Sequence, residues 1–166
     1  MARLKPLPAV WLISDARNDA ALEHALVRLP RGSGFIFRHY HLSEGARRAR
    51  FDALARIARA RGHVVALAGS RALARRWGAD LAYGADGHLV PVHSLHEIGR
   101  ATQAAALLLS PVFPTRSHPG SKALGPLRFR LLAARAQVPV IALGGMSPRT
   151  ARRLGWPCWA GIDAFV

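Results

Sequence analysis

Short apolar runs alternate with amphipathic stretches along the whole chain. Ala9 to Ser14 has the character of a buried strand, and Leu22, Ala25, Leu26 and Leu29 then recur at helical spacing until Pro30 and Gly32 stop them. Phe35 to Tyr40 predicts a second strand. Phe51, Leu54, Ala55 and Ala58 form the inward stripe of an arginine-studded helix, which Gly62 ends before a third strand, His63 to Ala68. Ala72 to Trp77 reads as a short helix and Asp80 to Tyr83 as a short strand. After only the loop from Gly84 to His88 comes a fifth strand, Leu89 to His93, and Leu95 and Ile98 then open a helix. Ala106 to Val112 is a strongly apolar sixth strand. Gly125-Pro126-Leu127 starts a helix with proline in its first turn, where the missing N–H costs nothing. Val138 to Leu143 is a β-branched run, Ser147 is an N-cap before Pro148, Gly155 stops that helix, and Trp159 to Phe165 is an eighth strand. The pattern predicts eight strands and six or seven helices.

Near-continuous apolar strands separated by helices imply a parallel sheet covered on both faces. Eight of them in strict alternation point to a closed (β/α)8 TIM barrel, an α/β fold, although an open doubly wound sheet has a similar pattern. The expected architecture is one barrel domain over residues 1–166. It is compact, since this fold typically takes ~250 residues. Its loops are shortened, and it lacks the helix after the fourth strand and the last helix.

Composition narrows the function classes. The chain is 51% hydrophobic and 20% charged, which suits a domain with a real core. Its only cysteine, Cys158, has no neighbours at zinc-finger spacing, so a disulfide scaffold and a structural zinc site are both unsupported. No apolar stretch approaches the roughly 18 residues of a membrane span, and the segment 1–6 lacks the apolar core of a signal peptide. A soluble, cytoplasmic protein without membrane partners is expected. The net charge of +15 raises nucleic acid as a partner. Yet the arginines at 47, 48, 50, 56, 59 and 61, at 71, 75 and 76, and at 149, 152 and 153 fall on separate helices. Outward helix faces carrying them around the protein predict no specific nucleic-acid binding.

In either architecture the site lies at the carboxyl ends of the strands. That selects Ser14 and Asp15, Arg38 to Tyr40, Gly69 and Ser70, Tyr83, His93 and Ser94, Ser110 to His118, Gly144 and Gly145, and Asp163. Gly144-Gly145, between a buried strand and the helix capped by Ser147, exposes backbone N–H groups where an anion is favoured. A tight turn needs glycine as well, so the pair alone is a weak signal. The loop from Ser110 to Gly125 is more particular: it sets hydroxyls, Arg116, His118 and Lys122 in a stretch stiffened by proline.

Ser110-Pro111-Val112-Phe113-Pro114-Thr115 resembles the Gly/Ser-Pro-Val-Phe-x-Thr loop of the thiamine phosphate synthase and thiazole tautomerase family. Pro139-Val140-Ile141-Ala142-Leu143-Gly144-Gly145 is similar to that family's Pro-Val-x-Ala-Ile-Gly-Gly phosphate loop. Val92-His93-Ser94 matches the Val-His-Ser ending its fifth strand, Arg38 sits where its second strand places an arginine, and Asp15 fits the Thr-Asp after its first strand. The matches keep their order over most of the chain and are strongest from about residue 89 to 147.

The resemblance implies a transferase of thiamine biosynthesis that joins hydroxymethylpyrimidine diphosphate to a thiazole phosphate, releasing pyrophosphate with magnesium. It implies that Ser94, Thr115, Ser117, Gly144 and Gly145 bind substrate or phosphate and that Arg38, His93 and His118 serve the chemistry. His118 as an acid or base and His118 as an exposed loop residue both stay open. The departures fall on the diphosphate half of the site. The family's Asn-Asp after the third strand is Gly69-Ser70 here, and the acid after the fourth has only Asp86 as a doubtful counterpart. Ile36 stands for Gln, Tyr40 for Lys, Pro91 for Ser and His118 for Lys, and Pro111 occupies the position of the tautomerase histidine. The usual magnesium ligands are therefore absent and no cofactor is certain. The expected partner is a phosphorylated thiazole or thiamine phosphate, with a homodimer left open. The alternative expectation is a non-catalytic or tautomerase-like phosphate-binding barrel with a degenerate diphosphate and magnesium site.

Overall fold

The computed structural model describes residues 6–117 and 119–166; His118 and the segment before Pro6, read above as lacking a leader core, lie outside them. Eight strands close into one parallel barrel: β1 Val10–Ile13, β2 Gly34–Phe37, β3 Val64–Ala68, β4 Leu81–Tyr83, β5 Leu89–Val92, β6 Ala106–Leu109, β7 Val140–Ala142 and β8 Trp159–Gly161. Pairing of β8 with β1, with Trp11 opposite Ala160, completes the ring and rules out the open sheet. Among the described residues there are six α-helices: α1 Leu22–Arg28, α2 Glu44–Ala60, α3 Arg71–Trp77, α4 Leu95–Arg100, α5 Gly125–Ala133 and α6 Pro148–Leu154. A single 3-10 turn, Asp19–Ala21, leads into α1. The compact barrel expected from the sequence is what forms: β4 and β5 are joined by the loop 84–88, and residues 162–166 make only a bend and a turn.

Alternation along each strand divides the apolar residues into two layers. Trp11, Ile13, Ile36, Ala66, Leu89, Leu108, Ile141 and Ala160 fill the interior of the barrel. Leu12, Phe35, Phe37, Val65 and Leu67 face outward against Leu26, Phe51, Leu54 and Trp77 of the helices. Large and small residues are complementary inside. A Cβ at Gly34 would lie 2.0 Å from the Trp11 ring, so glycine there is what admits the indole. The helix signals also hold: Ser43, Ser70, Ser94 and Ser147 cap α2, α3, α4 and α6, and Gly78 and Gly155 end α3 and α6 in the left-handed region.

Several strands are shorter than the apolar runs that encode them, and the difference shapes the site. The second run was expected to reach Tyr40 but β2 ends at Phe37, because the Arg38 N–H leaves the ladder for the Ser14 hydroxyl at 2.8 Å. His39 then turns the chain with φ 44°, the only positive φ outside glycine among the described residues. The sixth run was expected to extend to Val112, but β6 stops at Leu109 ahead of Pro111, which has no N–H to donate. The eighth was expected to run to Phe165. Instead β8 ends at Gly161, and the chain folds back so that Phe165 stacks on Trp159 at 5.3 Å.

The arginines also differ from expectation. Rather than lying wholly in solvent, several clamp carbonyls at element ends. Arg47 donates to Arg38 O at 2.8 Å and Ala68 O at 2.7 Å, with its guanidinium over Phe37, Tyr40 and Trp77. Arg71 reaches the carbonyls of Asp86, Gly87 and Gln103, and Arg50 binds Asp19 and Glu23.

Candidate functional site

The carboxyl ends of the strands open onto a cavity of about 1100 Å³. Its floor is apolar, from Ile13, Leu143 and Ala160, and its walls carry Arg38, Tyr83, His93, Arg116, Lys122 and Arg128 with one carboxylate, Asp163. Such an imbalance of cations over acids in a concave site attracts anions.

The loop after β6 and the turn after β7 form one wall because their backbones touch. Val112 N–H donates to Leu143 O at 2.9 Å and Phe113 N–H to Gly144 O at 3.0 Å. Gly144 has φ +96°, and a Cβ there would come within 2.5 Å of Pro111 Cα; Gly145 has φ +62° and meets Pro114 O at 2.6 Å in the same sense. Glycine is therefore required at both positions by conformation and by contact. Among the described residues no hydrogen bond takes up the N–H of either glycine, and both residues border the cavity. The α6 capping box, in which Ser147 and Thr150 exchange hydrogen bonds, uses the Thr150 N–H, so these two free amides are what the turn can offer an anion.

Thr115 and Ser117 line the same wall. Ser117 N–H donates to Thr115 Oγ1 at 3.2 Å, and the Ser117 hydroxyl accepts from Arg17 at 3.0 Å. Arg17 also binds Asp15 at 3.1 Å and lies 3.7 Å from Asp163, so it straps the loops after β1, β6 and β8 together across the rim. Asn18 does the same work beneath it. Buried, its amide donates to Ile13 O at 3.0 Å and Ile162 O at 2.8 Å. Neither Arg17 nor Asn18 was singled out in the sequence, where no local pattern marks a contact that spans 100 residues or more.

Arg38 reaches the cavity from the end of β2. Its Nε donates to Ser14 O at 3.0 Å and Nη2 pairs with Asp15 at 2.9 Å. Burial pushes the Asp15 carboxyl up, but hydrogen bonds from Arg17 and the charges of Arg38 and Arg17 outweigh it and hold Asp15 below the usual carboxylate range. Asp15 stays ionised as the partner of Arg38. Next to it Tyr83 is pushed up by burial, with Arg38 offsetting part of the effect, so its phenol keeps its proton. His93, at the end of β5, has Nδ1 3.1 Å from Ser110 O and 3.2 Å from Ser110 Oγ. A carbonyl only accepts, so the bond to Ser110 O places the proton on Nδ1 and leaves Nε2 as an acceptor for a ligand.

The structure thus brings Arg38, His93, Thr115, Ser117, Gly144 and Gly145 around one cavity. It does not bring Ser94 there: that residue is exposed, and its hydroxyl accepts the Glu97 N–H to cap α4. His118 lies outside the described residues. Arg128, on the first turns of α5, joins the wall without having been foreseen. A register three residues past Gly125 is the only sequence signal that could have placed it.

The fold and this mouth define a class: closed α/β barrels with a cation-lined cavity at the carboxyl ends of their strands. A model of the thiamine monophosphate synthase family matches residues 90–162, which include Val92-His93-Ser94, the Ser110 loop and the Gly144-Gly145 turn. Over that stretch, somewhat under half of the chain, the resemblance read from those motifs holds, and the chain is similar there to the thiamine monophosphate synthase family. Among solved structures it is similar to thiamine phosphate pyrophosphorylase from Pyrococcus furiosus, with a TM-score of 0.75 and 20% identity over 93% of this chain and 85% of that chain, a likeness of fold. No curated protein sequence matches it. The range matched by the family model begins after Gly69-Ser70 and the β4 end.

Magnesium, which the resemblance implies, does not suit the residues present. The ends of β3 and β4 offer Gly69, Ser70 and Gly84, and the Ser70 hydroxyl is spent on capping α3. Among the described residues no three His, Cys, Asp or Glu side chains gather as a metal would need. Among those residues, too, no helix is long and apolar enough to cross a membrane.

Proposed function

We propose that this barrel binds a thiazole phosphate or thiamine phosphate in the cytoplasm and works in thiamine biosynthesis as a synthase-type transferase. The observation that carries the reading is the cavity itself, where two glycine amides, two hydroxyls and several cations converge on one mouth. In it Gly144 and Gly145 hold the phosphate through their N–H groups, and Thr115 and Ser117 shape the loop over it. Arg38 and His93 face the ring or the second substrate.

Coupling in this chemistry requires charge stabilisation as a diphosphate departs from a pyrimidine carbon. Here that charge falls to Arg38, Arg116, Lys122 and Arg128, since the residues at β3 and β4 supply no metal ligands. Turnover is expected to be weak and indifferent to magnesium. The same missing acids favour a second reading, a phosphate-ligand barrel that no longer couples.

The deciding experiment is a thermal-shift panel of thiazole phosphate, thiamine phosphate and hydroxymethylpyrimidine diphosphate with and without magnesium, followed by a coupling assay. A ligand at about 100 times its Kd adds about 2.7 kcal/mol, which for a chain of this size raises Tm by about 5–10 °C. No shift at millimolar concentrations removes the phosphate site. A shift without turnover selects the non-catalytic reading, and robust magnesium-dependent turnover overturns the assignment of the β3 and β4 ends.

A further inference from the structure

Behind Arg38, and facing away from the cavity, three side chains are strung together. Ser14 Oγ lies 2.8 Å from His39 Nδ1, and His39 Nε2 lies 2.7 Å from Asp19 Oδ1. Ser14 and His39 are buried. That burial denies Ser14 a substrate, so the Ser–His–Asp sequence of contacts is not a nucleophile's triad. Its output is the peptide of Arg38, whose N–H donates to the same Ser14 hydroxyl at 2.8 Å.

The directions of these hydrogen bonds follow from the acid at the far end. Burial pushes the Asp19 carboxyl up, but hydrogen bonds from Arg50 and His39 outweigh it and keep Asp19 ionised, hence an acceptor. His39 therefore carries its proton on Nε2, and a neutral imidazole then accepts at Nδ1. The Ser14 proton points to that nitrogen, which frees the oxygen to receive the Arg38 N–H. A second proton on His39 would make Nδ1 a donor. Ser14 Oγ would then face two incoming N–H groups, and its own proton would have to turn out of the network.

We propose that His39 is a positioning residue, which through Ser14 sets the backbone of Arg38 so that the guanidinium is presented to the cavity, and that protonating His39 loosens this hold. The left-handed φ of 44° at His39 is what sends its ring inward, parallel to Phe37 at a centroid distance of 4.6 Å, while Arg38 and Tyr40 on either side reach the cavity. The charged and titratable groups around the ring are Asp19 from the 3-10 turn, Arg50 from α2 and His41 from its own loop. Arg47 holds the Arg38 carbonyl, Asp15 its Nη2 and the Ser14 carbonyl its Nε, so His39 governs one of four separate restraints. A ligand role for Arg38 rests on the proposed function; the restraint itself does not.

The test uses the full chain and two readouts. One is hydrogen exchange of the Arg38 Nε–H, which donates to Ser14 O, followed by NMR; the other is thiazole phosphate affinity by calorimetry, each measured above and below the titration of His39. In His39→Ala, Arg38 exchange accelerates and affinity falls, each by about three- to tenfold, the scale of one neutral hydrogen bond. In His39→Asn, which tolerates a left-handed backbone and offers Ser14 an amide oxygen, both recover at high pH and lose their pH dependence. Unchanged Arg38 protection in folded His39→Ala overturns the proposal, as does a wild-type pH dependence that persists in His39→Asn. If His39→Ala does not fold, the comparison of wild type with His39→Asn decides. Absence of thiazole phosphate binding by the wild type defeats the proposed function while leaving the exchange readout to judge His39.

Discussion

Substitution of Gly144 by alanine probes the contact that builds the site. At φ +96° an L-residue is strained, which costs about 1–3 kcal/mol. The added methyl would also sit 2.5 Å from Pro111 Cα and 3.0 Å from Val112 N, backbone atoms that cannot swing aside as a side chain can. Overpacking of this kind costs a further 1–3 kcal/mol or so, for a total of about 2–6 kcal/mol. Gly32 is the matched control, since its φ is +77° but nothing lies within 4 Å of a Cβ there, so Gly32→Ala carries only the conformational part, about 1 kcal/mol. Thermal unfolding followed by circular dichroism should show Tm lower by about 4–24 °C in Gly144→Ala and by about 2–4 °C in Gly32→Ala. Thiazole phosphate stabilisation should be lost in the first and kept in the second. Equal losses of Tm in the two variants would refute the view that the β6 loop and the β7 turn are held together by backbone contact at this glycine.

Further expectations follow from other parts of the molecule. Ser94→Ala removes the α4 cap and should cost about 1 kcal/mol while leaving thiazole phosphate affinity unchanged, because the side chain is outside the cavity; a loss of affinity in calorimetry would return Ser94 to the site. Burial holds His39, His63 and His88 below the ordinary imidazole value, so the unfolded chain binds more protons than the fold as pH falls from about 6.5, and stability must decline in that direction. A Tm that is flat between about pH 7.5 and pH 5 would contradict this. Several arginines are committed to backbone carbonyls and carboxylates, so the net charge of +15 should give only weak DNA or RNA binding that disappears at physiological salt; sub-micromolar binding surviving there in fluorescence anisotropy would reopen the nucleic-acid reading.

The order of elements was legible in the chain because each carries its own local signal. Apolar runs mark the strands, stripes such as Phe51, Leu54, Ala55 and Ala58 mark the helices, and serine and glycine mark their ends. The absence of a helix between Tyr83 and Leu89 was equally local, a matter of too few residues. The family motifs from Val92 to Gly145 were readable for the same reason, as contiguous segments.

What the fold alone decided involves partners distant along the chain. Closure of the barrel over an open sheet depends on Trp11 meeting Ala160, and the apolar character of either strand is the same in both architectures. Where strands stop was decided likewise, since Phe37 ends β2 only because Ser14, just past the end of β1, takes the Arg38 N–H. Ser94 looked like a ligand by its position after β5, yet the helix that begins at the next residue claims its hydroxyl through the Glu97 N–H. Arg17 and His39 have no motif at all. Their roles come from hydrogen bonds to Ser117 and to Ser14 and Asp19, and a linear pattern encodes which residues are apolar or polar but not which polar atoms the closed barrel will bring within 3 Å of one another.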